Sequence, residues 1–249
     1  MKGSEYFTIH VRDIKTNEII TDKIENTSGS ILFSLDDRFI FYSKLDENHR
    51  PKKIFRHEIG KSIKEDLLIF EERTPAFTVS IGISADEKYY FINSSDHNTS
   101  EKYYFKSNES LPKPKIVRKR EKGIIYSVSS WGGYFYIHTN KGAEDFKIER
   151  STDIEAYKWE VFIPAKNETM IGGLTFLKNW IIRSELNNAL DKIFVRDINS
   201  NKEEELIFTD EEVYDGSISH TQKDRNTDLI YISYSTPKTQ ARTYLYNLK

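Results

Sequence analysis

The sequence predicts an all-β protein, a partial β-propeller of about five blades, each a four-stranded antiparallel sheet. Three observations carry this. The aromatic-rich segments RFIFYS (38–43), KYYFIN (88–93), GYFYIH (133–138), NWIIRS (179–184) and DLIYIS (228–233) place Phe41, Phe91, Tyr136, Ile182 and Ile232 about 45–50 residues apart, a blade-sized period. A second series shares a tail of apolar positions, then a basic residue, an acid and Ile: Ile9-His10-Val11-Arg12-Asp13-Ile14, Ile54-Phe55-Arg56-His57-Glu58-Ile59 and Ile193-Phe194-Val195-Arg196-Asp197-Ile198. No long segment has the 3.6-residue period that a helical array requires.

Taken in order, residues 6–14 and 19–24 read as the last two strands of an N-terminal half blade (5–25). The first complete blade (31–72) comprises 31–35, 38–43, 52–59 and 66–71, with a tight Asp36-Asp37 corner before its second strand and the polar loop 44–51 after it. The next (77–118) takes 77–83, 88–93, 101–106 and 115–118. Pro112 and Pro114 confine that last segment to an edge, since proline cannot donate to a ladder. The third blade (124–164) takes 124–129, 133–138, 143–149 and 157–163, with Trp131-Gly132-Gly133 as its first corner. The fourth (170–209) takes 170–176, 179–184, 192–198 and 204–208. Segments 213–219, 228–234 and 242–248 supply an incomplete last blade (213–249). The whole, 1–249, is one partial propeller domain. An array cut through a blade at each end exposes an edge and an apolar face.

The bulk composition narrows the function classes. The chain has 249 residues, 37% of them hydrophobic and 13% aromatic, enough to bury a core. With 37 basic and 39 acidic residues the net charge is −2, which provides no global field for nucleic acid or anionic lipid. The basic run 113–122 (KPKIVRKREK) lacks interleaved aromatic residues and reads as a solvated outer strand and turn. Cysteine is absent, which removes disulfides, thiolate catalysis and thiolate metal sites and agrees with a cytoplasmic location. Neither a signal peptide nor an apolar run of spanning length is present, so a soluble intracellular protein without membrane association is expected.

The run from Phe33 to Gly60 resembles the propeller of oligopeptidase B (protease II), in the prolyl oligopeptidase family of serine peptidases. The resembling motifs are the Asp36-Asp37 corner, the strand 39–42, the loop Asp46-Glu47-Asn48-His49-Arg50-Pro51 and the strand end Arg56-His57-Glu58-Ile59-Gly60. Residues 66–72 (DLLIFEE), Thr99-Ser100-Glu101, 135–146 (FYIHTNKGAEDF) and 229–237 (LIYISYSTP) follow in family order, so the resemblance spans nearly the whole chain. Thr74 stands where the family usually has an acid ahead of Phe77. The resemblance implies a seven-bladed propeller, of which about five blades are represented, whose catalytic α/β-hydrolase domain would follow and is absent here, together with the family's first blade.

Nothing catalytic is predicted within these residues. An α/β-hydrolase requires G-x-S-x-G on a strand-to-helix turn; Gly29-Ser30 and Gly216-Ser217 lack the flanking glycine and read as turns. His10, His49, His57, His97, His138 and His220 lack zinc spacing, His57-Glu58 having no second histidine four residues on. Asp96-His97 reads as an Asx turn. Asp36, Asp37, Asp86, Glu87, Asp191, Asp210, Glu211 and Glu212 sit at strand corners, where turn chemistry explains them. No cofactor, metal or catalytic residue is therefore expected. What the resemblance implies is a non-catalytic, substrate-gating part of a serine endopeptidase that cleaves short peptides after basic residues. It would be inactive alone, a split or truncated gene product partnered by a separately encoded hydrolase domain. Two other classes remain open: a free-standing binding or scaffold propeller, and a hydrolase with paired acids in its channel.

Overall fold

The computed structural model describes residues 5–207, 209–219 and 225–249, apart from the side chain of Thr21. Its strands are joined by turns, with one short 3-10 turn, Ile63–Glu65. No described helix is long and apolar enough to cross a membrane. The chain forms two compact units, Met1–Gly133 and Tyr134–Lys249.

In the first unit, β1 (Phe7–Arg12), β2 (Ile19–Phe33), β3 (Phe39–Leu45), β4 (Pro51–Glu58) and β5 (Leu67–Glu71) form one antiparallel sheet in sequence order. The predicted half blade is therefore not separate. Segments 19–24 and 31–35 belong to one 15-residue strand, which pairs with β1 through Ile24 and with β3 through Ile31. It passes through two left-handed positions, Asn26 (φ 60°) and Gly29 (φ 80°), where the register shifts. Gly29 is required twice over, because a Cβ there would meet the Phe7 ring at 2.9 Å and L side chains disfavour that φ.

A second sheet comprises β6 (Thr78–Ile83), β7 (Tyr89–Ser95), β8 (Ser100–Lys106) and β9 (Lys115–Arg118), with β9 at the edge as the prolines require. The unit closes on β10 (Tyr126–Trp131). Phe41 and Ile54 of the first sheet pack with Val79, Tyr90, Ile92 and Phe105 of the second in one buried cluster.

The second unit contains β11 (Tyr134–Thr139), β12 (Lys147–Ser151) and β13 (Glu160–Ile163), then β14 (Thr169–Leu177), β15 (Trp180–Asn187), β16 (Leu190–Asp197) and β17 (Glu203–Glu205), and finally β18 (Asp215–Ser219), β19 (Leu229–Thr236) and β20 (Thr239–Asn247). β12 is shorter than segment 143–149 predicts. Residues 140–146 are a turn closed by Ala143 N–H to the Asn140 carbonyl (3.1 Å), with Phe146 at φ 67°. β17 stops at Glu205, and Phe208 of segment 204–208 lies outside the described residues. Leu177, Ile182, Ile193, Ile230 and Ile232 form a buried cluster.

The repeated segments are the second strands β3, β7, β11, β15 and β19. The first four carry runs of consecutive buried residues, the mark of a strand covered on both faces.

Candidate functional site

The corners repeat atom for atom. Ser34 Oγ donates to Asp36 Oδ1 (2.6 Å) and accepts from Phe39 N–H (2.9 Å); Ser84 Oγ donates to Asp86 Oδ1 (2.7 Å) and accepts from Tyr89 N–H (3.0 Å). Asp37 and Glu87 follow at φ 56° and 57°. Asp13 and Asp197 do the same at the tails β1 and β16 share: each Oδ1 accepts two backbone amides, from Lys15 and Thr16 and from Asn199 and Ser200. Those amides hold both carboxyls below the usual range. In the DENHRP loop, Asp46 Oδ1 accepts from Asn48 N–H and Arg50 N–H (2.8 and 2.9 Å), which aims Arg50 at the Pro75 carbonyl.

The third tail departs from this pattern. Glu58 stands in the place of Asp13 and Asp197, and His57, in the place of Arg12 and Arg196, is fully buried. Its Nδ1 lies 2.6 Å from Asp66 Oδ1 and its Nε2 3.0 Å from Asp22 Oδ2. Tyr42 OH donates to Asp66 (2.8 Å), and Gly60 N–H to Asp22 (2.6 Å). Burial alone would lower the imidazole pKa. Hydrogen bonds and charge from two carboxylates outweigh it, and the pKa is raised. With both nitrogens engaged, His57 is unavailable as a general base.

Arg120, inside the basic run, is only partly exposed. Its Nη2 bridges Glu72 and Glu101 (2.7 Å each), and its guanidinium lies over Phe77 at 4.0 Å. Its Nη1 reaches Thr74 Oγ1 at 3.3 Å, so the position where the family usually carries an acid here serves as a neutral acceptor. Burial opposes ionisation of Glu72, but Arg120, Ser94 and Thr74 overcome it and bring its pKa down to about 2. Lys52 Nζ donates to the carbonyls of Thr74, Pro75 and Phe77, closing the turn below. In the second unit Arg183 makes a two-pronged contact with Glu203 (2.8 and 3.0 Å) and donates to Glu185, which Lys166 also holds.

Among the described residues none of the other sequence candidates assembles a reactive group. His10 and His97 are exposed on β1 and on the Asp96 Asx turn, whose Oδ1 accepts from Asn98 and Thr99. His49 sits at φ 60° against Tyr6. His138 stacks on Phe146 and bonds the Ile171 carbonyl at 2.7 Å, burial lowering its pKa. His220 lies outside the described residues. Ser30 lies in β2 and Ser217 in β18, neither followed by a helix. Asp191 accepts from Gly216 N–H, while Asp210, Glu211 and Glu212 lie in the loop before β18. Among the described residues no three His, Cys, Asp or Glu side chains converge as metal ligands. A cleft of about 480 Å³ lies between the two sheets of the first unit, floored by Phe39, Phe41, Tyr90 and Phe105 and rimmed by Arg38 and Arg56. Among the described residues the arrangement ties strands and turns together through hydrogen bonds and ion pairs.

Across residues 1–249 the sequence matches the family described as prolyl oligopeptidase, N-terminal beta-propeller domain. The chain belongs to this family. Relatives of this propeller include protease 2 of Moraxella lacunata, 30% identical over 241 residues, which cover 95% of this chain and 34% of the relative. Dipeptidyl aminopeptidase BI of Pseudoxanthomonas mexicana is 27% identical over 251 residues, 99% of this chain and 34% of the relative. Among solved structures, oligopeptidase B from Trypanosoma brucei with covalently bound antipain, in a closed form, superimposes at TM-score 0.85 with 26% identity, covering 92% of this chain and 34% of that one. Oligopeptidase B from Leishmania major gives TM-score 0.89 at 23% identity over 98% of this chain and 36% of that one, a likeness of fold. The propeller chain thus spans about a third of the length of these proteins.

Proposed function

We propose that this chain is the substrate-gating propeller of an oligopeptidase B-like serine endopeptidase that cleaves short peptides after basic residues, and that it hydrolyses nothing without an α/β-hydrolase domain. One observation carries the reading: 95% of the chain aligns at 30% identity with about a third of protease 2. The internal chemistry agrees with it. The acids at the corners are spent on turn amides and the buried acids on Arg120, Arg183 and His57. Such side chains make stiff walls. Rigid blades around a narrow opening exclude folded proteins by size and keep bulk water from the chemistry behind them.

The hydrolase domain enters as a partner, on a separate polypeptide in the split-gene form of the proposal. The test mixes this chain with the hydrolase domain expressed from the same genome and follows a fluorogenic peptide with Arg before the scissile bond. Turnover by the mixture together with co-elution, and no turnover by this chain alone, is the expected result. A mixture that neither associates nor cleaves overturns the split form.

A further inference from the structure

The cleft between the two sheets of the first unit holds polar groups that the fold leaves unmatched. Its volume of about 480 Å³ is that of a small-molecule site, ~300–1,000 Å³, lined mostly by apolar side chains with a few placed polar groups. On its floor Tyr90 is 1% exposed, and its hydroxyl finds no hydrogen-bond partner among the described residues. Burial raises the pKa of this phenol, the nearby Leu35 amide working against it. An amide can only donate, so the phenol proton has no acceptor, and a buried donor in that state is destabilising. On the rim the Arg56 guanidinium lies 4.3 Å from the centre of the Phe39 ring, and that of Arg38 lies 5.3 Å from the same centre. Arg38 has a carboxylate, Glu58, at 3.3 Å. The Arg56 guanidinium bonds the Ser110 carbonyl at 2.7 Å and no carboxylate among the described residues. Its surroundings disfavour its charge: burial lowers the pKa, and Arg38 adds to this against the pull of Glu58 and Asp36. The acids lining the cleft already have work, Asp36 Oδ1 accepting from Ser34 Oγ and the Arg38 amide, and Glu109 Oε1 from the Lys106 amide.

We propose that this cleft is a binding site for a small aryl carboxylate that carries an oxygen acceptor on its ring. Each part of that ligand matches one feature of the site. A guanidinium stacked on a ring keeps its N–H edge free for a carboxylate, and Arg56 offers such an edge beside Phe39, with the charge of Arg38 close by. The aromatic floor suits a flat apolar body. The ring oxygen accepts the proton that Tyr90 has nowhere else to place. A site with a polar group to satisfy discriminates against analogues that leave it unpaired. Arg56 and Tyr90 both feel the charge of Asp36, which puts them within reach of one small molecule. Two sources share this chemistry, a free hydroxyaryl acid and the C-terminal tyrosine of a peptide.

Ligand-observed NMR titration of the 249-residue chain tests this with 3-(4-hydroxyphenyl)propionate, 3-phenylpropionate and 3-phenylpropylamine. The hydroxylated acid is expected to bind with Kd of ~0.1–1 mM, the plain acid several-fold more weakly, and the amine not at all. Arg56→Gln should weaken both acids at least about tenfold. Tyr90→Phe should abolish the preference for the hydroxylated acid while melting at or above the temperature of the parent, since the lost hydroxyl was unpaired. That second readout separates a binding role from a structural one, which would lower the melting temperature and leave the preference alone. N-Acetylglycyltyrosine, titrated alongside, assigns the source: tighter binding than the free acid points to a peptide end, weaker binding to the free acid, and either ordering supports the site. No binding of the hydroxylated acid up to about 5 mM overturns the proposal. So does an amine that binds as well as the acids, or a preference that Tyr90→Phe leaves intact.

Discussion

At the scale of single residues, buried charge decides which side chains are irreplaceable. His57 sits between Asp22 and Asp66 with both nitrogens bonded. Replacing it with Gln keeps shape and one donor but strips the positive charge from between two acids, and breaking a buried pair of this kind costs about 3–5 kcal/mol. Urea unfolding at pH 6 should show that loss. The pH dependence has a fixed sign. The folded pKa of His57 lies above its unfolded value near ~6.5. Its stabilisation is therefore complete below that value and disappears as pH rises through the folded pKa. The parent should lose stability over that alkaline range more steeply than His57→Gln, and parallel slopes would contradict the assignment. Glu72 behaves in the opposite sense. With its pKa lowered to about 2, its contribution is present above ~4.3 and lost as pH falls towards 2. Arg120→Gln, which removes the guanidinium from Glu72 and Glu101, should move the acid-unfolding midpoint to higher pH.

At the scale of strands and corners, much of the fold was legible because the signals are local. The Asp36 and Asp86 corners need a serine two residues earlier and a left-handed residue after, all within five positions. Glu87 at φ 57° lacks the side-chain compensation that lets Asn or Asp tolerate that region. Glu87→Gly should thus raise stability by about 0.5–1 kcal/mol in thermal melts, and Glu87→Val should lower it. The joining of 19–24 with 31–35 was not legible, since Thr27-Ser28-Gly29-Ser30 reads as a break. In the structure Thr27 Oγ1 bonds the Phe7 carbonyl and Ser28 Oγ bonds Ser43, carrying the strand through the irregularity. The ion networks were equally hidden. Arg120 meets Glu72 across 48 residues of sequence, and its place in a basic run disguised it as a solvated side chain. The one local sign was in the third tail, where histidine replaces the arginine of the other two and glutamate replaces their Asx-turn aspartate.

At the scale of the whole chain, the packed clusters set how much disturbance each unit tolerates. Ile92 is fully buried with Phe41, Ile54 and Phe105 in the first unit, and Ile182 with Leu177 and Ile230 in the second. Ile→Ala at either site should cost about 2–5 kcal/mol by the transfer and cavity terms, read as a drop in the unfolding midpoint. Family membership follows from the match over residues 1–249, and gating is the claim with most at stake. It is tested most directly by the size selectivity of cleavage. The hydrolase domain is assayed with and without this chain on an arginine-containing octapeptide and on an unstructured protein of about 100 residues carrying the same site, a chain far bulkier than the peptide. Gating predicts that adding this chain preserves or raises turnover of the peptide while suppressing that of the protein. Equal effects on both substrates, or cleavage by this chain alone, would contradict it.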